Sequence, residues 1–155
     1  MKKLLFVLLL AVTGFSACKK DSSSDNYDAT AQAAADDAKI QAYLKTNNLT
    51  ATKDPSGVYY QVVTAGTGAY PTSTSTVNVN YKGTLLNGTV FDSGSLTNQS
   101  LSGLIAGWQY GIPHINTGGR IILYIPSTLG YKNQAQGSIP ANSVLIFTID
   151  LLGFK

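Results

Sequence analysis

Few side chains in this 155-residue chain could do nucleophilic, acid–base or metal chemistry. It has one Cys and one His, and all eight of its acidic residues are Asp. A single Cys and a single His cannot assemble a metal site of the usual His/Cys kind. No Ser sits in a nucleophile elbow, and His114 has no partner placed by sequence, so hydrolase chemistry has no support. What the chain offers is a phenol, a phenyl ring and a carboxylate. Tyr81, Phe91 and Asp92 fall within Val77–Asp92, VNVNYKGTLLNGTVFD, and could line one concave wall.

The elements that would carry that wall are strands. Val77, Val79 and Tyr81 alternate with Asn78, Asn80 and Lys82, the period-two pattern of a half-buried strand. Asn87-Gly88 is a tight-turn dipeptide that returns the chain through Val90 and Phe91. Upstream, Asp28 is positioned to cap a helix running to about Thr46, rich in Ala, with Ile40, Tyr43 and Leu44 as its apolar edge. That helix is expected on the flank of the domain; a dimerisation arm is the alternative. Asn47-Asn48 ends it, and Asp54-Pro55-Ser56-Gly57 forms a turn. Gly57–Ala65 reads as a strand, and Gly66-Thr67-Gly68 as a turn, since no third Gly and helix follow to make a dinucleotide fingerprint. Tyr70–Thr76 reads as a loop and Ser93–Ser100 as a polar, flexible segment. Trp108, the only Trp, starts a short helix that Pro113 limits to about Ala106–Ile112, where a Trp in an apolar run is usually core. Gly119–Ile125 is a strand ending at Pro126, Ser127–Pro140 a long loop, and Ser143–Leu152 a last strand with Leu145, Phe147, Ile149 and Leu151 on one face. His114, in a polar turn, is expected at the surface.

Charged residues make up only 12% and hydrophobic ones 44%, so most of the chain should fold, with a Gly, Ser, Thr and Tyr content that leans toward sheet and turns. The length suits one domain plus a leader. From Cys18 onward nine basic residues face eight Asp, and no basic stripe remains, which argues against a nucleic-acid partner. Met1-Lys2-Lys3 followed by the apolar run Leu4–Val12 has the form of a signal peptide, too short to anchor as a span. Phe15-Ser16-Ala17-Cys18 resembles a bacterial lipobox, with Phe15 where Leu is usual. A plain signal peptide with an incidental Cys is the other reading. On the lipobox reading residues 1–17 are removed and Cys18 is the lipid attachment. Residues 18–27 are then a flexible tether, 28–55 a helical segment and 56–155 the folded domain. Lys19 after the Cys points to the outer membrane, with the periplasmic or surface side open.

Four segments in order, VNVNYKGTLLNGTVFDSG, LIAGW, LYIPSTLGY and IPANSVLIFTIDLL, together resemble the FKBP-type (tacrolimus-binding) peptidyl-prolyl cis-trans isomerases over about residues 57–155. With the leader, the chain resembles the lipoprotein members of Bacteroidetes-type bacteria. The resemblance implies an α+β fold, an antiparallel sheet of five or six strands curled around one short helix, here with an N-terminal helical extension. It implies a pocket floored by Trp108, with Tyr81, Phe91, Asp92 and Tyr131 as the catalytic set. Leu104, Ile105, Ile139 and Phe147 join Trp108 in substrate binding, and the Ile105 N–H meets the substrate carbonyl. No cofactor is implied. The implied partners are proline-containing polypeptides, tacrolimus-like macrolides and, through Cys18, a membrane; the expected state is a monomer.

The implied reaction is rotation about an X–Pro amide, whose barrier of about 18–20 kcal/mol is lost resonance. Water sustains that resonance, so a dry aromatic pocket lowers the barrier without a covalent intermediate. The chain departs from the family pattern in three places. No Arg follows Asp92 within Ser93–Ser100 to pair with it. A second family aromatic is missing, with Thr97 and Gln99 the nearest positions. Lys132-Asn133 follows Tyr131 where the family has Gly. Each departure predicts a more open or wetter pocket, and hence the alternative of a chaperone or peptide-binding module on the same scaffold, with little turnover.

Overall fold

The computed structural model describes residues 27–155; the expected signal peptide, Cys18 and nearly all of the expected tether lie outside the described residues. Helix α1 (Ala29–Thr46) begins where sequence places it. The Asp28 carboxylate accepts from the N–H groups of Thr30 and Ala31 at 2.9 and 3.0 Å, satisfying two donors that a helix start leaves free. Asn47 ends the helix, and Asn48 turns the chain in the left-handed region at φ +52°, which Asn tolerates better than most residues.

Strands β1 (Thr52–Lys53), β2 (Tyr59–Thr64), β3 (Thr76–Leu85), β4 (Val90–Ser100), β5 (Arg120–Ile125) and β6 (Leu145–Phe154) form one sheet in the order β1-β2-β5-β6-β3-β4. Every pairing is antiparallel. Helix α2 (Ala106–Gly111) lies in its concavity. Strand β6 is central, pairing with both β3 and β5. Leu145, Phe147, Ile149 and Leu151 point toward α2 and the main core, as the alternation predicts. Ile146 points the other way and joins Tyr59, Tyr124 and Val144 against Ile40 and Leu44 of α1. The apolar edge of α1 is thus covered by this chain's own sheet, which is the flank-packing arrangement.

Three elements differ from expectation, each for a physical reason. Ser93–Ser100 belongs to an 11-residue strand rather than a flexible segment. It pairs with β3 along one edge only, and most of its side chains face solvent, so hydrogen bonding holds it and no hydrophobic period marks it. Pro113 does not stop the chain from coiling: it sits in a 3-10 turn, Ile112–His114, which extends α2. His114 is half-buried, not a surface side chain. Its ring stacks on Tyr60 at 3.9 Å, and Nε2 lies 3.1 Å from Asp54 Oδ2. Among the described residues no helix is long and apolar enough to cross a membrane.

Candidate active site

The site begins with two glycines. A Cβ at Gly107 would overlap the Ile125 side chain, and one at Gly111 would come within 2.5 Å of Leu123. Glycine at both positions lets α2 lie directly on β5, which seats Trp108, 4% exposed, between helix and sheet. Trp108 meets Tyr81 edge-on at 5.4 Å and Phe147 at 5.2 Å, and Phe147 meets Phe91 at 5.4 Å, all near-perpendicular contacts that aromatic quadrupoles favour. Gly83 completes this layer: a Cβ there would sit 2.5 Å from the Phe91 ring and 2.9 Å from Phe147.

Above Trp108 opens a cavity of about 210 Å³ lined by Tyr81, Asp92, Leu96, Leu104, Ile105, Trp108, Tyr131 and Phe147. It is smaller than most ligand pockets, which span ~300–1,000 Å³, and suits a compact ring more than an extended ligand. Seven of the nine pocket residues named from sequence meet here. Phe91 and Ile139 do not line the cavity. Phe91 stands behind Phe147, and Ile139 is buried in the same core while its backbone bonds to Gln136 within the β5–β6 loop.

A β-bulge explains how the adjacent residues Phe91 and Asp92 both serve this side of the sheet. Gly83 pairs with Asp92 but Thr84 with Val90, so Phe91 is the extra residue in the ladder. Leu96 is the lining residue that sequence reasoning missed. It stands opposite Val79, one residue before Thr97, which with Gln99 was the nearest position for the second aromatic; Gln99 pairs with Val77 beyond a second bulge. Its spacing from Asp92 was the available signal, because residues four apart on a strand share a face.

The polar groups of the pocket are few and specific. The Tyr81 hydroxyl donates to Asp92 Oδ2 at 2.7 Å, the ring lying over Gly94, so the carboxylate takes a phenol as partner where an Arg was sought. The only Arg of the sequence, Arg120, instead makes a two-pronged pair with Asp150 at 2.5 and 2.8 Å. The Tyr131 hydroxyl makes no hydrogen bond to a described residue. On the other side, Gln109 Nε2 donates to the Leu104 carbonyl at 2.8 Å. That bond fixes the Leu104–Ile105 peptide plane, and the Ile105 N–H on its far edge has no partner among the described residues. Lys82 is exposed, on the opposite face of β3 from Tyr81. The site therefore presents an aromatic floor, two N–H groups without a partner among the described residues (the Ile105 amide and the buried Trp108 indole) and two phenols, with no group placed to attack a substrate.

The hydrogen bond to Asp92 raises the Tyr81 phenol above its ordinary value of 10.0, to about 12, helped by burial, the Asp92 charge and the nearby Tyr131. A raised acid means that the folded state favours the protonated phenol. The stabilisation from this contact is complete below pH ~10 and disappears as pH rises through about 12. An NMR titration of the Tyr81 ring carbon should report ionisation near the upper value in the native protein, and a return toward the ordinary value in Asp92→Asn. An unchanged midpoint in that variant would contradict the assignment.

Residues 68–152 match the family described as FKBP-type peptidyl-prolyl cis-trans isomerase. The chain is 44% identical over 104 residues to the FKBP-type peptidyl-prolyl cis-trans isomerase FkpA of Escherichia coli, covering 64% of this chain and 38% of that one. It is 39% identical over 124 residues to the peptidyl-prolyl cis-trans isomerase Mip of Coxiella burnetii, covering 76% of this chain and 54% of that one. The crystal structure of E. coli FkpA superposes with a TM-score of 0.67 at 38% identity, over 82% of this chain and 62% of that chain. A peptidyl-prolyl cis-trans isomerase from Pseudomonas syringae superposes with a TM-score of 0.66 at 26% identity, over 83% and 96% of the two chains. The chain spans about two fifths of the length of FkpA. The family match spans more than half of the residues: the chain belongs to the FKBP-type peptidyl-prolyl cis-trans isomerase family.

Proposed function

We propose that this chain is a peptidyl-prolyl cis-trans isomerase of the bacterial cell envelope, tethered through a lipid on Cys18 and acting on proline-containing segments of exported proteins as they fold. The observation that carries the catalytic part is the aromatic cavity on Trp108 lined by Ile105, whose N–H has no partner among the described residues. A pyrrolidine ring seated on the indole places the preceding carbonyl at the rim, near Tyr81 and Asp92, with Phe91 backing Phe147. There it exchanges water for ring edges and for a fixed donor. Less solvation of the charge-separated amide means less resonance to lose at the twisted midpoint, and each ~1.4 kcal/mol removed is tenfold in rate. Tyr131 donates to the bound chain, and no covalent intermediate and no cofactor takes part. Uncatalysed isomerisation takes tens to hundreds of seconds, slow enough to limit folding. The names of the relatives support the reaction class. Tacrolimus-like macrolides fit as competitors, and α1 using its apolar edge within its own chain favours a monomer.

A second reading is a peptide-holding module with little turnover. It draws on Asp92 being exposed and the cavity being lined by Leu96 where an aromatic would make it drier.

Three measurements bear on these readings. The soluble domain should accelerate isomerisation of a proline test peptide at least tenfold over buffer, with tacrolimus inhibiting. Asp92→Ala and Phe91→Ala, each confirmed folded by circular dichroism, should lose most of that acceleration. No acceleration by the native domain would leave only the holding module. For the anchor, cells fed labelled palmitate should label the native protein in the membrane fraction, and Cys18→Ser should abolish both label and membrane retention. Retention unchanged in that variant would remove the lipid tether.

A further inference from the structure

The proposed reaction needs Tyr131 held over the cavity, and Tyr131 lies in the long β5–β6 loop, where backbone is ordinarily mobile. Resting on that reading of the pocket, we propose that the N-terminal helix is part of the catalytic apparatus, because Asp36 of α1 positions the loop that carries Tyr131. Asp36 lies outside the residues that match the family, and its side chain is fully buried. A buried carboxylate is costly unless its oxygens are satisfied. Here Oδ1 accepts from Gln32 Nε2 at 2.8 Å and Lys39 Nζ at 3.0 Å, both on its own helix. Oδ2 reaches across to Ser127, also fully buried, and accepts both its backbone N–H at 2.8 Å and its hydroxyl at 2.5 Å.

Ser127 is the first residue of the 3-10 turn Ser127–Leu129, and its carbonyl is the next link. That one oxygen accepts the N–H of Gly130 at 3.0 Å and of Lys132 at 2.8 Å, the two neighbours of Tyr131. Lys132 turns with φ +57°, and its own carbonyl accepts the Asn142 N–H at 2.8 Å, tying the loop to the approach of β6. Tyr131 is thereby bracketed by two donors bound to a single carbonyl, whose residue is gripped at two points by Asp36. An apolar pair would have joined helix to loop with less desolvation cost. What the carboxylate adds is direction: two converging bonds fix both the position and the rotation of Ser127. Asp36 is a positioning residue that acts through Ser127 on Tyr131.

Asp37, the next residue on α1, provides the control. It anchors the helix to Tyr59 at 2.8 Å and to Lys53 at 2.5 Å, with no hydrogen bond to the loop among the described residues. Amide hydrogen exchange would be compared in the native protein, Asp36→Asn, Ser127→Ala and Asp37→Asn. Binding of a proline peptide would be followed by fluorescence of Trp108, the only Trp in the chain. Asp36→Asn should accelerate exchange at Gly130 and Lys132 by about tenfold while Leu123 and Ile149 in the core stay as they were, and should weaken peptide binding severalfold. Ser127→Ala should act in the same direction, and decides the matter if Asp36→Asn does not fold. Asp37→Asn should leave loop exchange and peptide affinity unchanged. Loop amides that do not respond, or that respond only in step with the core, would overturn the proposal. A native protein without isomerase activity whose loop still responds to Asp36→Asn would sink the functional reading and leave the positioning intact.

Discussion

The close approach of α2 to β5 is the constraint from which the rest of the site follows. A six-residue helix has too little intrinsic stability to stand alone, so it exists because it is pressed against the sheet. Gly107 and Gly111 allow that pressing, with Ile125 and Leu123 filling the space that methyl groups would have taken. Trp108 then cannot lie on the surface. It is turned into the concavity, where Tyr81 and Phe147 meet its edges and the cavity forms above its face. Gly83 serves the opposite wall in the same way, giving Phe91 and Phe147 room to cross. Three residues without side chains thus shape a pocket made of rings.

Polar groups are admitted to this apolar setting only where each has a defined orientation. Asp92 is held by the Tyr81 hydroxyl, and Gln109 holds the Leu104 carbonyl, so the backbone donor left free at this edge is the Ile105 N–H, beside the unpartnered indole N–H of Trp108. Such an arrangement suits a reaction with no bond to make or break by attack: the amide needs to be gripped, dried and offered one fixed donor. Electrostatics elsewhere in the sheet serve the frame. Arg120 and Asp150 sit directly opposite each other on β5 and β6 and close the ladder at that end, far from any role as a partner for Asp92.

The legible parts of this molecule were those where side-chain type carries the signal. The alternation of Val77, Val79 and Tyr81 marked β3, the Asp28 cap marked the start of α1, and the run of Leu145, Phe147, Ile149 and Leu151 marked β6. Strand β4 was opaque because an edge strand with Ser, Thr, Asn and Gln on both faces is held by its backbone. Leu96 shares a face with Asp92 through regular pairing, but that spacing becomes a signal only once Ser93–Ser100 is known to be a strand. Tyr81 as the partner of Asp92 was equally invisible, since nothing in the spacing of 11 residues says that the phenol leans across Gly94. The grip of Asp36 on Ser127 joins positions 91 residues apart, and an Asp-Asp step in an Ala-rich helix reads as solvated until the burial of Asp36 is seen.

The account stands on one claim, that the Trp108 cavity both binds an X–Pro segment and speeds its rotation. The direct measurement is NMR exchange spectroscopy on a short proline peptide, with the soluble domain added at a small fraction of the peptide concentration. Cis and trans signals that do not interconvert on that timescale in buffer should gain exchange cross-peaks when the native domain is present, and lose them when tacrolimus fills the cavity. Peptide binding that perturbs Trp108 fluorescence while the cis and trans signals remain without exchange would contradict the account.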